Sequence, residues 1–433
     1  MILVMGLSKT GKSICEYLSK NKREFMVYDA SYEAILPYKT MGIKSYSADE
    51  VIDEPVDLVI KSPGIPPHEE HVKFFNQKDI EIISDIEFFY REYMPKDLIA
   101  ITGTNGKTTT TKMAFELLKE KGAVMGGNVG IPIMELIPGK NDIFIFELSS
   151  FGLDGTKSFR PHVAILLNID EDHIDWHESF ENYKNAKYKI FKNQLPNDYL
   201  IIDADSIDLR EIKTDAHILQ FSTEKINGMN SYLECDDIVF AIDDDILTVN
   251  MSKLRYKEKH NIKNFMASVL AAMIYGIDYE DIERFNREFS LDAHRIERFL
   301  NYNGVEYVDD SKATNPHAVV AALDNFHNNT ILILGGFDKE TNFDRLLIKA
   351  SKLKKIVFCG DIKDKLKSRA DELDINNYQL CDKLIDAAKY VVSIAEAGDT
   401  VLFSPGASSF DEFNGYKERG EKFQNYIKEA LDA

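Results

Sequence analysis

The sequence is short of several things, and each shortage excludes a class of protein. No apolar run is long enough to span a bilayer: the best candidates, Ile143-Phe144-Ile145-Phe146 and Val163-Ala164-Ile165-Leu166-Leu167, are of strand length. The start has no basic leader, apolar h-region or cleavage site, and Met1-Ile2-Leu3-Val4-Met5 enters a strand directly, which argues for a cytoplasmic protein. Cysteine is scarce, and Cys15, Cys235, Cys359 and Cys381 are too scattered for metal-type spacing, so they read as reduced thiols. Basic charge is in deficit: 52 Lys and Arg against 72 Asp and Glu leave a net −20, the opposite of a nucleic-acid-binding face. Internal repeats and low-complexity tracts are absent. What remains is an ordinary globular composition, 44% hydrophobic and 29% charged, over 433 residues. That length exceeds one core and suggests about two to four domains.

The pattern is α/β throughout. Strands are expected at 1–5, 25–28, 58–60 and 81–83, with helices at 12–20 and 72–77. They make a first Rossmann-like domain, residues 1–94, that ends in the polar stretch Arg91–Asp97. A second domain, 95–291, is of the P-loop mononucleotide-binding kind. Its strands are expected at 142–147, 163–169 and 199–203, with β-hairpins over 229–254 and a helix over 263–273. A third, Rossmann-like domain, 292–433, has strands at 330–334, 355–358 and 400–403.

The stretch richest in chemistry is Ile99-Ala100-Ile101-Thr102-Gly103-Thr104-Asn105-Gly106-Lys107-Thr108-Thr109. A buried strand runs into a small Gly-containing turn, then a lysine, hydroxyls and a helix. Backbone N–H groups and a helix N-terminus in that layout grip phosphate, the lysine adds a point charge and the next hydroxyl can ligate Mg²⁺. A competing match lies in the first domain. Gly6-Leu7-Ser8-Lys9-Thr10-Gly11-Lys12-Ser13 fits the literal G-x-x-x-x-G-K-[ST] pattern, which the Gly103 loop does not, because Ile101 stands at the first glycine. Yet a strand ending in Asp29 follows it, at the place of a ribose-binding acid, so it reads as a diphosphate-binding turn without hydrolysis or as a plain structural one. Downstream of Gly103, Glu147 ends an apolar strand, where it can hold Mg²⁺ or simply be solvated. Asp170-Glu171-Asp172-His173-Ile174-Asp175 crowds another strand exit. Lys187, in the basic helix-like Tyr183–Phe191, reads by itself as a surface lysine. Asn128-Val129-Gly130-Ile131-Pro132 is a substrate loop or a connector. Three strand exits of the third domain, Asp309–Pro316, Gly335–Lys339 and Ser404–Asp411, carry small and polar residues and together mark one binding edge.

Taken in order, Thr102–Thr109, Glu147-Leu148-Ser149-Ser150, Asp172-His173, His260-Asn261, His294-Arg295 and Asp310-Ser311-Lys312-Ala313-Thr314-Asn315 resemble the Mur ligases, ATP-dependent amide-forming enzymes of peptidoglycan precursor synthesis. Two runs, Asp310–Asn315 and Ser404–Phe413 with Tyr416 and Arg419-Gly420, look like the branch that adds D-glutamate to UDP-N-acetylmuramoyl-L-alanine. The neighbouring possibilities are another Mur ligase or a folylpolyglutamate-type ligase. A non-catalytic nucleotide-binding protein is the reading from a different class.

The resemblance implies roles. Gly103, Thr104, Asn105, Gly106, Lys107, Thr108 and Thr109 would hold the ATP phosphates, Asn261 and Asn264 the adenine, Arg295 and Asp310 the ribose and phosphates. Thr108, Glu147, His173 and Lys187 would serve two Mg²⁺ ions, Lys187 as a carbamate made with CO₂, which overturns the surface reading of that lysine. Lys107, Glu147, His173 and Lys187 would be the catalytic set. Thr10, Asp29, Ser62, Asn128 and His173 would meet the UDP substrate. Lys312, Thr314, Lys339, Ser409, Phe410 and Tyr416 would surround D-glutamate. The resemblance also implies a monomer whose domains close on their ligands. Lys9 and Ser31 depart from the family near the uridine diphosphate, where an apolar residue and an arginine are expected, and Asn414 replaces a lysine near the glutamate.

Overall fold

Fully buried apolar strands set the architecture. Leu98–Thr102, Ile143–Glu147, Val163–Leu166 and Thr330–Gly335 are buried along their whole length, as parallel strands covered on both faces are. The computed structural model describes residues 1–432 except 49, 129–130, 137–141, 227, 291–292, 324–325 and 338–340. The described residues form three sheets, and the chain divides into two units, Met1–Phe289 and Ser290–Ala433.

The first unit holds two sheets. One has five parallel strands in the order Ser45–Tyr46, Phe25–Tyr28, Ile2–Met5, Leu58–Lys61, Glu81–Ser84. The chain steps outward on both sides of Ile2–Met5, so the switch point where such sheets bind ligands lies at the carboxyl end of that strand. The helix Asp85–Tyr93 follows, capped by Ser84, whose hydroxyl accepts from Glu87 N. It buries Ile86, Glu87, Phe88 and Phe89, so the stretch read as a loose polar domain end is helical as far as Tyr93. A second helix not anticipated from the sequence, Tyr32–Thr40, carries Pro37 in its interior.

The other sheet runs in the order Asp245–Asn250, Asp237–Ile242, Ser231–Glu234, His217–Phe221, Tyr199–Asp203, Val163–Leu166, Leu98–Thr102, Ile143–Glu147, Ala123–Gly127. It is parallel except for the hairpins at one edge, which fall in the 229–254 stretch where hairpins were expected. The helices Lys107–Leu118 and Lys259–Met273 pack on each other beside it. The strand expected over 163–169 stops at Leu166, because the next residues turn to hydrogen-bond the Gly103 loop. The basic helix spans Phe180–Tyr188, earlier than read from the pattern.

One apolar cluster joins the two sheets. Ile86, Phe88 and Phe89 belong to the same core as Phe144, Phe146 and Phe159, and the Phe89 ring lies 5.3 Å from Phe146 and 5.6 Å from Phe144. Beside it the buried Glu87 carboxylate accepts from the main-chain N of Lys157, Ser158 and Phe159 at 2.9 Å each, from Ser158 Oγ at 2.5 Å and from Arg91 Nε at 2.7 Å.

The second unit is a sheet in the order Glu297–Tyr302, Val305–Asp309, Thr400–Gly406, Thr330–Gly335, Lys355–Cys359, Tyr378–Leu380. All its pairings are parallel except the first, an antiparallel hairpin. Its two faces carry separate cores, one around Leu332, Phe343 and Phe358, the other around Tyr307, Phe403 and Phe423. The strand Thr400–Gly406 runs past Pro405, so part of the exit read from the sequence is still sheet. Among the described residues no helix is long and apolar enough to cross a membrane.

Candidate active site

The loop after Leu98–Thr102 is held in shape from the neighbouring strand exit. Thr104 N donates to Asn168 O (2.9 Å) and Asn105 N to Asn168 Oδ1 (2.8 Å), while Asn168 Nδ2 returns a bond to Asn105 O (3.1 Å). Thr104 Oγ1 accepts from Asp170 N (2.9 Å) and shares a bond with the buried Tyr183 hydroxyl (2.8 Å). Gly106 then opens the helix Lys107–Leu118 at φ +86°, and a Cβ there would lie 2.4 Å from Asn264 Oδ1. Only glycine suits both the left-handed turn and that approach. Thr110 Oγ1 also reaches Asn264 Oδ1, at 3.2 Å. Asn168 and Tyr183 were not singled out from the sequence. An asparagine directly after an apolar strand was the available signal, and reading the strand through residue 169 hid it.

Two amines converge on one carbonyl of this loop. Lys107 Nζ donates to Gly103 O at 2.7 Å and to Thr104 O at 2.8 Å, and Lys187 Nζ donates to the same Gly103 O at 2.8 Å. Lys187 is 1% exposed and lies 4.6 Å from the Tyr183 ring centroid. Burial, with the Lys107 charge beside it, holds its amine well below the usual lysine range, against a weaker pull from Asp172. The surface reading of Lys187 is thereby corrected. Glu147 stands in register beside Ile101 and is 5% exposed, and its Oε2 is buried with no hydrogen-bond partner. Asn128 N donates to Glu147 O at 3.0 Å, and the Asn128 side chain is exposed. His173 adopts φ +53° at the start of Ile174–His177, with its ring 4.7 Å from Phe151 and Nε2 3.5 Å from Asp172 Oδ2. On the neighbouring helix Asn261 Oδ1 and Asn264 Nδ2 are buried without partners. Thr108 is half-buried and Thr109 buried in the first turn of their helix.

The literal pattern match at Gly6 folds differently. Its helix, Lys9–Lys20, begins before the pattern's Gly11 and Lys12, which therefore sit inside the helix, whereas Lys107 is the first helical residue of its own. Gly6, at φ +89°, packs so closely under the next strand exit that a Cβ would meet Ser62 Oγ and Ile65 Cδ1 at 2.9 Å. Ser62 Oγ donates to Gly6 O (2.8 Å). The Asp29 carboxylate accepts from Leu7 N (2.6 Å) and Ser31 N (2.9 Å). Thr10 is half-buried in the first helical turn.

In the second unit a separate network shapes the Asp310–Asn315 loop. Asp309 pairs with His294 Nδ1 (2.7 Å) and accepts from Ser311 Oγ (2.5 Å), and this carboxylate raises the His294 pKa. The buried Asp310 accepts from Ser404 Oγ (2.6 Å) and Ile296 N (3.2 Å). Burial pushes it up to about 7, with Ser404 and Arg295 pulling the other way. Arg295 Nε is buried with no partner. Lys312 Nζ lies 5.8 Å from the Tyr416 ring centroid, Thr314 is half-buried, Ser409 buried and Phe410 67% exposed. Lys339 lies outside the described residues. Arg419, read from the sequence only as part of a signature, is 2% exposed and donates to Ser311 O (2.9 Å) and Ala407 O (3.0 Å). It thus ties two strand exits together, and burial pushes it down to about 10.

A pinned loop before a helix, a lysine at that helix's first residue and a buried acid on the adjacent strand define a P-loop nucleotide enzyme of the α/β class. The Mur ligase middle domain profile matches residues 101–272, and the Mur ligase glutamate ligase domain profile matches 294–406. The chain belongs to the Mur ligase family. It is 35% identical over 431 residues to the UDP-N-acetylmuramoylalanine--D-glutamate ligase of Aquifex aeolicus, with 98% of each chain covered. To the same-named protein of Caldicellulosiruptor bescii it is 33% identical over 447 residues, covering 99% of this chain and 98% of that one. Among solved structures, the MurF ligase of Thermotoga maritima in complex with ADP superposes with a TM-score of 0.62 at 17% identity, over 100% of this chain and 95% of that one. The MurC of the same organism gives 0.59 at 19% identity, over 99% of each. These two share the fold.

Proposed function

We propose that the chain is a cytoplasmic, monomeric ligase that adds D-glutamate to UDP-N-acetylmuramoyl-L-alanine at the expense of ATP. The observation that carries the ATP-using chemistry is the shared Gly103 carbonyl, with a phosphate-loop lysine and a buried lysine amine on one oxygen. The choice of D-glutamate rests on the full-length likeness to relatives of that name. In this reading residues 1–94 hold the UDP substrate through Thr10, Asp29 and Ser62, with Asn128 and His173 from the next domain. Residues 95–291 bind ATP through Gly103–Thr109, Asn261 and Asn264. Residues 292–433 bind D-glutamate through Lys312, Thr314, Lys339, Ser409, Phe410 and Tyr416, and lend Arg295 and Asp310 to the nucleotide.

The residues suit Mg²⁺. Glu147 offers a buried oxygen without a donor, and Thr108 a hydroxyl, both hard ligands. Lys187 would suit a carbamate: burial lowers its amine's pKa, and the deprotonated amine would add to CO₂, forming an N–C bond and releasing one proton, to give a carboxylate that can bind metal. When bound, Mg²⁺ neutralises charge between phosphate oxygens. The chain's own share is positional. The loop N–H groups and Lys107 align the γ-phosphoryl group with the substrate carboxylate, both anionic. The carboxylate takes that group as ADP leaves, and the D-glutamate amine attacks the acyl carbon as phosphate leaves. Lys312 and Lys339 supply cations for a dianionic amino acid in an acidic protein.

The test is phosphate release with ATP and UDP-N-acetylmuramoyl-L-alanine against a panel of amino acids. D-glutamate supports turnover, and L-glutamate, L-lysine and diaminopimelate do not; any other ranking moves the chain to another branch. Lys107→Ala abolishes ADP formation with every substrate present, and near-normal turnover would defeat the ATP-site assignment.

A further inference from the structure

A buried lysine outside the catalytic set lies between the first sheet and the His173 segment. Lys61 ends the strand Leu58–Lys61, in register with Met5 on one side and Ser84 on the other, and is 7% exposed. Its ammonium donates to Ile65 O at 2.5 Å, closing the turn that starts at Ser62. The same nitrogen lies 5.3 Å from the centroid of the Trp176 ring. Trp176 is 8% exposed, donates from its main chain to His173 O (3.2 Å) and packs its ring at a tilt against Phe151, which His173 meets edge-on. Two polar atoms of this neighbourhood are buried without a partner, Trp176 Nε1 and Asp85 Oδ1. Burial pushes the Lys61 amine down to about 8, against Asp154, Asp85 and Glu69, which favour its charge.

A buried ammonium is costly unless it is paired, and this one has the Ile65 carbonyl and an aromatic face. An ammonium serving only to hold the sheet edge would be replaceable by an apolar side chain. Here it contacts two segments with different duties in the proposed function, the Ser62–Ile65 turn, which meets the UDP substrate alone, and the His173 segment, which meets metal as well as that substrate. Fixing either segment fixes one end of the bridge, so each ligand lowers the ordering left for the other.

We propose that Lys61 and Trp176 form a positioning bridge that couples UDP-substrate binding to ATP-site binding. The inference rests on the substrate reading given above. Its test is calorimetric titration of UDP-N-acetylmuramoyl-L-alanine into the full chain, with and without Mg²⁺ and a non-hydrolysable ATP analogue, for wild type, Lys61→Met and Trp176→Leu. Wild type binds the UDP substrate about fivefold more tightly when the analogue is present. In either variant the ratio falls to about one, analogue affinity alone stays within about twofold, and the double variant adds no further loss. An unchanged ratio in Lys61→Met, or a wild-type ratio of one, overturns the bridge. If wild type does not bind the UDP substrate at all, the substrate reading itself fails. Should Lys61→Met not fold, the Trp176→Leu ratio decides alone.

Discussion

Lys187 shows how far one residue's chemistry depends on its surroundings. A lysine that composition places on the surface is 1% exposed and shares an acceptor with Lys107. Burial, and after it the Lys107 charge, hold its amine well below the usual lysine range. Lys187→Ala loses turnover by more than about a hundredfold, the scale of removing one charged catalytic contact, and short carboxylic acids restore part of it. Full activity of the variant without bicarbonate or rescue would contradict the carbamate. Asp310 gives a pH signature of its own. Its native pKa is raised to about 7 by burial, so the folded state holds a proton that the unfolded chain has released. Stability from this group is therefore full below the unfolded carboxylate range and falls as pH rises from about 4 to about 7. Urea unfolding of Asp310→Asn across that interval is expected to show a flatter profile than wild type. The residue types at Lys107, Glu147 and Asp310 were legible because strand exits advertise themselves. Burial of Lys187 was not, since the groups that bury it come from segments distant in sequence.

At the scale of elements, the loop at Gly103 owes its form to a neighbour. Asn168 makes two side-chain bonds to the Asn105 backbone, one donated and one accepted. Asn168→Ala leaves that peptide unpaired, at about 1–3 kcal/mol. The expected outcome is a KM for ATP raised about tenfold with the KM for the UDP substrate little changed, measured by separate titrations of the two in the phosphate-release assay. Helices with strong periodicity, such as Lys259–Met273, were legible. Asp85–Tyr93 was not, because Glu87 and Asp85 are charged residues on its buried side and break the apolar stripe. The pattern match at Gly6 failed for a similar reason: spacing along the chain does not report where a helix starts, and there it starts too early for Lys12 to face a phosphate at the helix end.

At the scale of the molecule, the first two sheets lie in one unit, Met1–Phe289. The link is partly apolar, through Phe89 on Phe144 and Phe146, and partly the Glu87 carboxylate. Burial pushes Glu87 up, but the donors of Ser158, Lys157 and Arg91 outweigh it and hold it below its usual range. A depressed carboxylate stabilises above its unfolded pKa and loses that contribution as pH falls through the folded one. Glu87→Gln is expected to lose about 3 kcal/mol at neutral pH in urea unfolding, and part of the acid sensitivity below about pH 4 with it. No sequence pattern could announce this pairing, since its partners lie about 70 positions apart.

The Glu87 knot also says what a protease would find. Residues Met94 to Asp97 join the two sheets along the chain, yet the side chains of Asp85–Tyr93 grip the other sheet independently of that peptide. A single cut there would leave two fragments that travel together through gel filtration at neutral pH and hold each other less tightly in acid, when the Glu87 carboxylate takes up its proton and the apolar contact is left to fasten them.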